Sequence, residues 1–239
     1  MALTGAGMSK ESGLATFREQ QTGLWARFDP SELATEAAFR RHPARVFGWY
    51  LWRWRTVRMS QPHAGYRAMV RLASHFDAFT VVTQNVDGLH RRAGAADVFE
   101  LHGSIDAFKC LEQWHPYDAQ ELVHLIVGEV GEVDPPECPS CGSPIRPGVV
   151  WFGESLPHDA IKGAWAATEQ CDVMLVIGTS SVVYPAAELP HLARAHGAAV
   201  VEINPQRTPL TPLADASCVL SAAEALPGLA DAFESPVPS

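Results

Sequence analysis

The sequence predicts an α/β fold built on a doubly wound parallel sheet, and three observations carry that prediction. Short apolar runs alternate with helical patterns, the arrangement of strands that crossover helices bury on both faces. A glycine-rich turn, Gly5-Ala6-Gly7-Met8-Ser9, stands where a first strand would lead into a first crossover. The chain, 239 residues long and 47% hydrophobic, is large enough to bury a core of this kind as one domain with small insertions.

The elements follow in order. Only Met1 to Thr4 precede Gly5; a strand normally runs about five residues, so the first strand is expected to be clipped, or the true start to lie upstream. Glu32 to Ser74 reads as wholly helical, and Asp77 to Thr83 and Asp97 to Leu101 read as strands. Lys109 to Val149 is rich in Pro, Gly, Cys and acids and interrupts the alternation. Strands then return at Val173 to Gly178, Ala198 to Asn204 and Ser217 to Leu220, with helices near His158 to Cys171, Pro185 to His196 and Ala222 to Phe233. Glu234 to Ser239 reads as a frayed tail, and no internal repeat or low-complexity tract is visible.

Composition narrows the function. Eighteen Lys and Arg against 27 Asp and Glu give a net charge of -9, which disfavours bulk binding to nucleic acid or to an anionic membrane. No apolar run approaches the roughly 20 residues of a membrane-spanning helix, and Met1-Ala2-Leu3-Thr4 does not resemble a secretory leader. A cytoplasmic location is the expectation. Five cysteines, Cys110, Cys138, Cys141, Cys171 and Cys218, are too few and odd for a disulfide framework, so metal binding or burial is expected of them.

Four polar segments fall at the carboxyl ends of expected strands, where open α/β sheets hold their ligands. They are Thr83-Gln84-Asn85-Val86-Asp87-Gly88-Leu89-His90, Glu100-Leu101-His102-Gly103, Gly178-Thr179-Ser180-Ser181 and Ile203-Asn204-Pro205, and the Gly5 turn follows the first expected strand. The turn could aim backbone N–H groups at a phosphate. An ordinary dehydrogenase fingerprint would need glycine where Lys10 stands, which argues against hydride transfer.

Gly5 to Arg18, Thr83 to His90, Glu100 to Gly103, Val149-Val150-Trp151-Phe152-Gly153-Glu154, Gly178-Thr179-Ser180 and Ile203-Asn204 together resemble the sirtuins, NAD-dependent protein deacylases. The match runs in order from Ala2 to about Leu229. The resemblance implies a single catalytic domain. Its large Rossmann-like part would span about 1–30, 76–107 and 149–235; a smaller discontinuous module would combine helices over about 31–75 with a zinc knuckle over about 108–148. It also implies that NAD is cleaved at the nicotinamide–ribose bond while an acyl group passes from lysine to ADP-ribose.

Residue types suit that chemistry. A ribose hydroxyl must lose a proton near neutral pH, and His102 is the candidate general base. Asn85 and Asp87 would surround the nicotinamide ribose, with Gln84 beside them. Gly5, Ala6, Gly7, Ser9 and Thr179 would hold phosphate, and Gly178, Ser180 and Asn204 the adenosine half. Phe17 and Arg18 belong to a loop that would fold over NAD, Arg18 contacting phosphate. Val150, Trp151, Phe152 and Gly153 resemble the strand on which an acyl-lysine peptide is laid through backbone bonds.

Tyr50 and Arg53 stand three residues apart, on one face of a helix expected to start after Pro43. A guanidinium fork beside a phenol suits a carboxylate. With the small Ala34, this resembles the sirtuin branch that removes malonyl, succinyl or glutaryl groups, with deacetylation as a slower side activity.

Cys138-Pro139-Ser140-Cys141 is a C-x-x-C knuckle able to share one zinc with Cys110. Sirtuins generally supply a fourth cysteine, but Gln113 occupies its position. The fourth ligand is open between His115, another side chain and water, and loss of the zinc altogether is the further alternative. Cys171 and Cys218 are expected to be buried small apolar residues. Acyl-lysine proteins or peptides are the expected partners. The alternatives are a protein ADP-ribosyltransferase using the same cleft and a non-catalytic NAD or ADP-ribose sensor.

Overall fold

The computed structural model describes residues 1–14, 33–125 and 131–235. In chain order its elements begin with β1 (Ala2–Thr4), α1 (Glu36–Arg41), α2 (Pro43–Met59), α3 (Ala64–Ala73), β2 (Val81–Thr83) and α4 (Leu89–Arg92). They continue through β3 (Val98–Glu100), β4 (Gly103–Cys110), β5 (Pro116–Tyr117), β6 (Ile145–Val149) and α5 (His158–Gln170). The last are β7 (Val173–Ile177), α6 (Leu189–Ala195), β8 (Ala199–Ile203), β9 (Ala216–Cys218) and α7 (Ala222–Glu234).

Six strands form a parallel sheet in the order β3-β2-β1-β7-β8-β9. The chain winds outward from β1 to one edge, then crosses back to β7 and winds to the other, so the order reverses between β1 and β7. The loops leaving those two strands diverge and open the crevice in which such sheets bind ligands. The first strand is three residues long. All three of its residues are buried, and each pairs with both neighbours, Leu3 opposite Val82 and Val176.

Strand residues alternate between the two faces. Ala2, Leu175 and Ile177 pack with Tyr66 and Met69 of α3 and Leu226 of α7, whereas Leu3, Met174 and Val176 pack with Ala164 of α5 and Leu189 of α6. That double burial explains why β7 reads as an unbroken apolar run.

The expected single helical stretch before β2 is interrupted twice. The Thr35 hydroxyl accepts from Ala38 N to cap α1, His42 ends it, and Pro43 starts α2 at a position where its missing N–H costs nothing. Residues 60–63 then separate α2 from α3. Only α1 and α2 stand beside the second core; α3, grouped with them by the sequence, packs on the parallel sheet instead. The strand expected from Asp77 begins at Val81.

The second core joins α1 and α2 to an antiparallel sheet of order β5-β4-β6. Phe47 and Trp54 meet Phe108 edge-on, and Trp151 stacks at a tilt on Phe39. Among the described residues no helix is long and apolar enough to cross a membrane.

Candidate active site and metal centre

The crevice starts with glycines that permit close backbone approach. Gly5 N donates to Ile177 O at 3.0 Å and Gly7 N to Gly178 O at 2.8 Å. A Cβ at Gly5 would lie 2.8 Å from Thr179 Cα, and one at Gly7 2.8 Å from Gly178 Cα. The two loops therefore interlock through positions no larger residue can occupy. Ala6 to Ser12 is a 3-10 segment, not the α-helix usual after such a turn, and it ends at Gly13 with φ 84°.

Gln84 links the nucleotide loops to the reaction centre. Its Nε2 donates to Thr179 Oγ1 at 3.0 Å, and its carbonyl accepts from His102 Nδ1 at 2.8 Å. Asn204 Nδ2 donates to Thr179 O at 2.7 Å, which brings the end of β8 to the same loop. Ser180 is half-buried beside it, and the Ser181 hydroxyl is buried without a hydrogen-bond partner among the described residues.

A carbonyl can only accept, so His102 Nδ1 carries the proton in that bond and the neutral ring leaves its Nε2 lone pair available. Burial lowers the His102 pKa below the ordinary histidine value, with the Gln84 bond opposing it. The imidazole is thus held neutral in the tautomer a general base requires.

Ser9 is the hub of the neighbouring network. Its hydroxyl donates to Asp87 Oδ2 at 2.6 Å and accepts from Asn85 Nδ2 at 2.9 Å. Asn85 also reaches Gly5 O at 2.9 Å, and Asp87 Oδ1 accepts from Leu89 N at 2.9 Å. Burial raises the Asp87 pKa, while those bonds and the Arg53 and Arg92 charges oppose the rise. Deeper still, Thr4 Oγ1 donates to Thr83 Oγ1 and meets His90 Nε2, both at 2.8 Å. The sequence motifs contain Thr4, Thr83 and His90 but give no sign of this contact, and Tyr66, 2.8 Å from Ser9 Oγ, carried no signal at all.

Tyr50 and Arg53 lie on α2 as expected. Trp151 Nε1 donates to the Tyr50 hydroxyl at 3.0 Å. Burial pushes the Tyr50 pKa up to about 12, so the phenol keeps its proton, and among the described residues that proton has no acceptor. The half-buried Arg53 guanidinium lies 5.4 Å from the Trp49 ring centroid and makes no ion pair among the described residues. Burial lowers its pKa, opposed by the charges of Tyr50 and Asp87.

The expected strand over Val150 to Phe152 is not one. β6 ends at Val149, and a turn follows in which Glu154 N bonds Trp151 O at 3.0 Å. Val150 N donates to His102 O at 2.8 Å and Phe152 N to Ala34 O at 2.9 Å, and Gly153 adopts φ 90°. Arg146, wholly buried, binds Glu154 with both terminal nitrogens and lies 3.3 Å over the Trp151 ring. Spent backbone N–H groups and the Arg146–Glu154 pair set this segment as a turn. Phe17 and Arg18 lie outside the described residues.

The second center is complete without a fourth cysteine. Cys110, His115, Cys138 and Cys141 bring their ligand atoms within 4.8 Å of one another. Cys110 and Cys141 sulfurs are 3.7 Å apart, and Cys138 Sγ lies 3.6 Å from His115 Nδ1. A tetrahedral zinc with Zn–S bonds of about 2.3 Å needs sulfurs about 3.8 Å apart, so three thiolates and one imidazole fit that ion. The Cys110 N to His115 O bond of 2.9 Å folds the β4–β5 hairpin and delivers His115 despite the unusual spacing. Cys171 and Cys218 are half-buried and stand outside this group.

Known proteins show the same layout. The Sir2 family matches residues 5–185. An NAD-dependent protein deacylase of Mycolicibacterium paratuberculosis is 50% identical over 227 residues, 95% of this chain and 94% of its own. An NAD-dependent protein deacylase 1 of Pseudomonas aeruginosa is 51% identical over 204 residues, 85% of this chain and 81% of its own. Among solved structures, a Sir2 homolog–NAD complex has a TM-score of 0.88 at 42% identity and covers 98% of this chain and 88% of that one. With a family match over most of its length and half-identical relatives spanning nearly all of it, this chain belongs to the Sir2 family.

Proposed function

We propose that this protein is an NAD-dependent protein-lysine deacylase that prefers acidic acyl groups, malonyl or succinyl, to acetyl. The observation that carries the reading is His102, whose Nδ1 donates to the carbonyl of Gln84, the residue that precedes Asn85 and bonds Thr179, so that Nε2 has no hydrogen bond among the described residues. The names of the half-identical relatives support the same activity.

In this reading NAD is a cosubstrate, supplying the ribose that receives the acyl group as nicotinamide leaves. Water completes the balance, and the products are free lysine, nicotinamide and O-acyl-ADP-ribose. His102 Nε2 accepts the ribose hydroxyl proton. Asn85 and Asp87 orient that ribose, the loops of Gly5 and Thr179 hold the diphosphate, and Ser180 and Asn204 hold the adenosine. The segment Val150 to Gly153 takes the peptide backbone.

Acyl preference follows from Tyr50 and Arg53, a phenol whose proton has no acceptor beside a guanidinium with no ion pair, both among the described residues. Arg53 binds a terminal carboxylate in two places and Tyr50 donates to it, while Ala34 leaves room. One peptide carrying acetyl-, malonyl- or succinyl-lysine, incubated with and without NAD and followed by mass, tests the proposal. NAD-dependent loss of the acidic groups in preference to acetyl is expected, and Arg53→Met should reduce desuccinylation at least tenfold more than deacetylation. ADP-ribose on protein with no loss of acyl would favour a transferase, and no NAD-dependent loss from any form would overturn the deacylase reading.

A further inference from the structure

We propose that Trp151 is a specificity-determining residue that acts through Tyr50, its indole N–H holding the phenol so that the hydroxyl proton points at the acyl carboxylate. The inference rests on the acidic-acyl reading above and goes beyond it. A phenol oxygen can accept and donate at once. Here the accepting side is taken by Trp151 Nε1 at 3.0 Å, so the rotor about the C–O bond keeps its proton for another partner. Without the indole donor, the buried hydroxyl would be free to turn and spend part of its time aimed away from the substrate.

The indole is itself held in place. Trp151 is 1% exposed, its backbone N donates to Glu154 Oε2 at 2.7 Å, and Arg146 lies 3.3 Å over its ring while pairing with that same Glu154. The Phe39 ring packs on it at a tilt, 5.3 Å away centroid to centroid, and the Tyr50 ring is 6.3 Å away. The adjacent backbone is equally fixed: Val150 N bonds the carbonyl of His102 and Phe152 N that of Ala34. One residue thereby joins the segment proposed to read the peptide backbone to the side chain proposed to read the acyl end. Acyl selectivity becomes a property of the turn after β6 as well as of α2.

The test is a double-mutant cycle read as the ratio of kcat/KM for succinyl-lysine to that for acetyl-lysine, in the full chain. Trp151→Phe keeps an aromatic ring and removes the donor, and should lower the ratio roughly three- to tenfold, the worth of one hydrogen bond. In a Tyr50→Phe background the same change should leave the ratio unaltered, because its target is gone. If Trp151→Phe does not fold, benzothienylalanine at position 151, with sulfur in place of the indole N–H, makes the same comparison at nearly constant shape. An unchanged ratio, or an equal drop in the Tyr50→Phe background, would overturn the role of Trp151 while leaving the acyl reading intact. A wild-type protein with no acidic preference would overturn both.

Discussion

Ser9 Oγ stands 2.6 Å from Asp87 Oδ2 and gives it its only proton. With that proton committed, the contacts to Asn85 Nδ2 at 2.9 Å and to the Tyr66 hydroxyl at 2.8 Å must both be accepted by Ser9, so Tyr66 is the donor and the capacity of the serine is full. Tyr66→Phe therefore leaves one buried lone pair unmet without changing ring volume. We expect a loss of about 1 kcal/mol in stability and a severalfold rise in KM for NAD, measured by thermal melting and steady-state kinetics. A variant matching the wild type in both would mean that the network tolerates the gap.

His102 should govern the acid side of activity. Burial lowers its pKa below the usual histidine value of 6.5, against the opposing Gln84 bond, so the acid limb of kcat/KM should lie below pH 6.5. His102→Ala should cost at least about a hundredfold in deacylation, while calorimetry still detects NAD binding. An active alanine variant would remove His102 from the role of base.

The metal cluster makes a prediction independent of activity. Purified protein should carry about one zinc per chain, and His115→Ala should lose it to a chelator far faster than the wild type, with a lower melting temperature. His115→Cys should retain the ion. Equal zinc retention in His115→Ala and wild type would show that the imidazole is not a ligand.

His90 predicts how stability responds to acid. Thr4 gives its proton to Thr83, so the 2.8 Å contact requires His90 Nε2 to donate, and Nδ1 is left buried without a partner among the described residues. Burial lowers its pKa from 6.5 to about 3. The unfolded chain then binds a proton that the folded chain refuses between those values, so stability falls as pH drops below 6.5. From pH 6.5 to 4 the loss would be about 3 kcal/mol for this group. His90→Asn, which keeps a donor but does not titrate, should flatten that part of the curve in melts taken across the range; an equally steep curve would assign the acid sensitivity elsewhere.

Much of this architecture was legible in the chain. The apolar runs of β7 and β8 announce strands buried on both faces, because crossover helices leave neither face to water. Gly5, Gly7 and Gly178 mark a close approach of two loops, which only residues without Cβ permit. The alternation announces a doubly wound parallel sheet, and the strand order seen in the structure, reversing between β1 and β7, brings Asn85, Asp87, His102 and Thr179 to one crevice.

Other features depend on which distant segments touch. The break at 60–63 and the assignment of α3 to the parallel sheet could not be read from a continuous helical pattern, since packing against Ala2 and Leu175 decides where α3 sits, whereas the start of α2 at Pro43 is written in the chain. Val150 to Phe152 has strand-like composition, yet the Arg146–Glu154 pair and the bonds to His102 and Ala34 make it a turn. His115 is a poor zinc ligand by spacing and a good one by position. The sequence by itself determined the fold class and the residue types of the site, because periodicity and local motifs encode burial and backbone geometry; only the tertiary structure decided that Tyr66 completes Ser9, that His115 joins three cysteines and that Trp151 holds Tyr50, because each pairs side chains that no local rule relates.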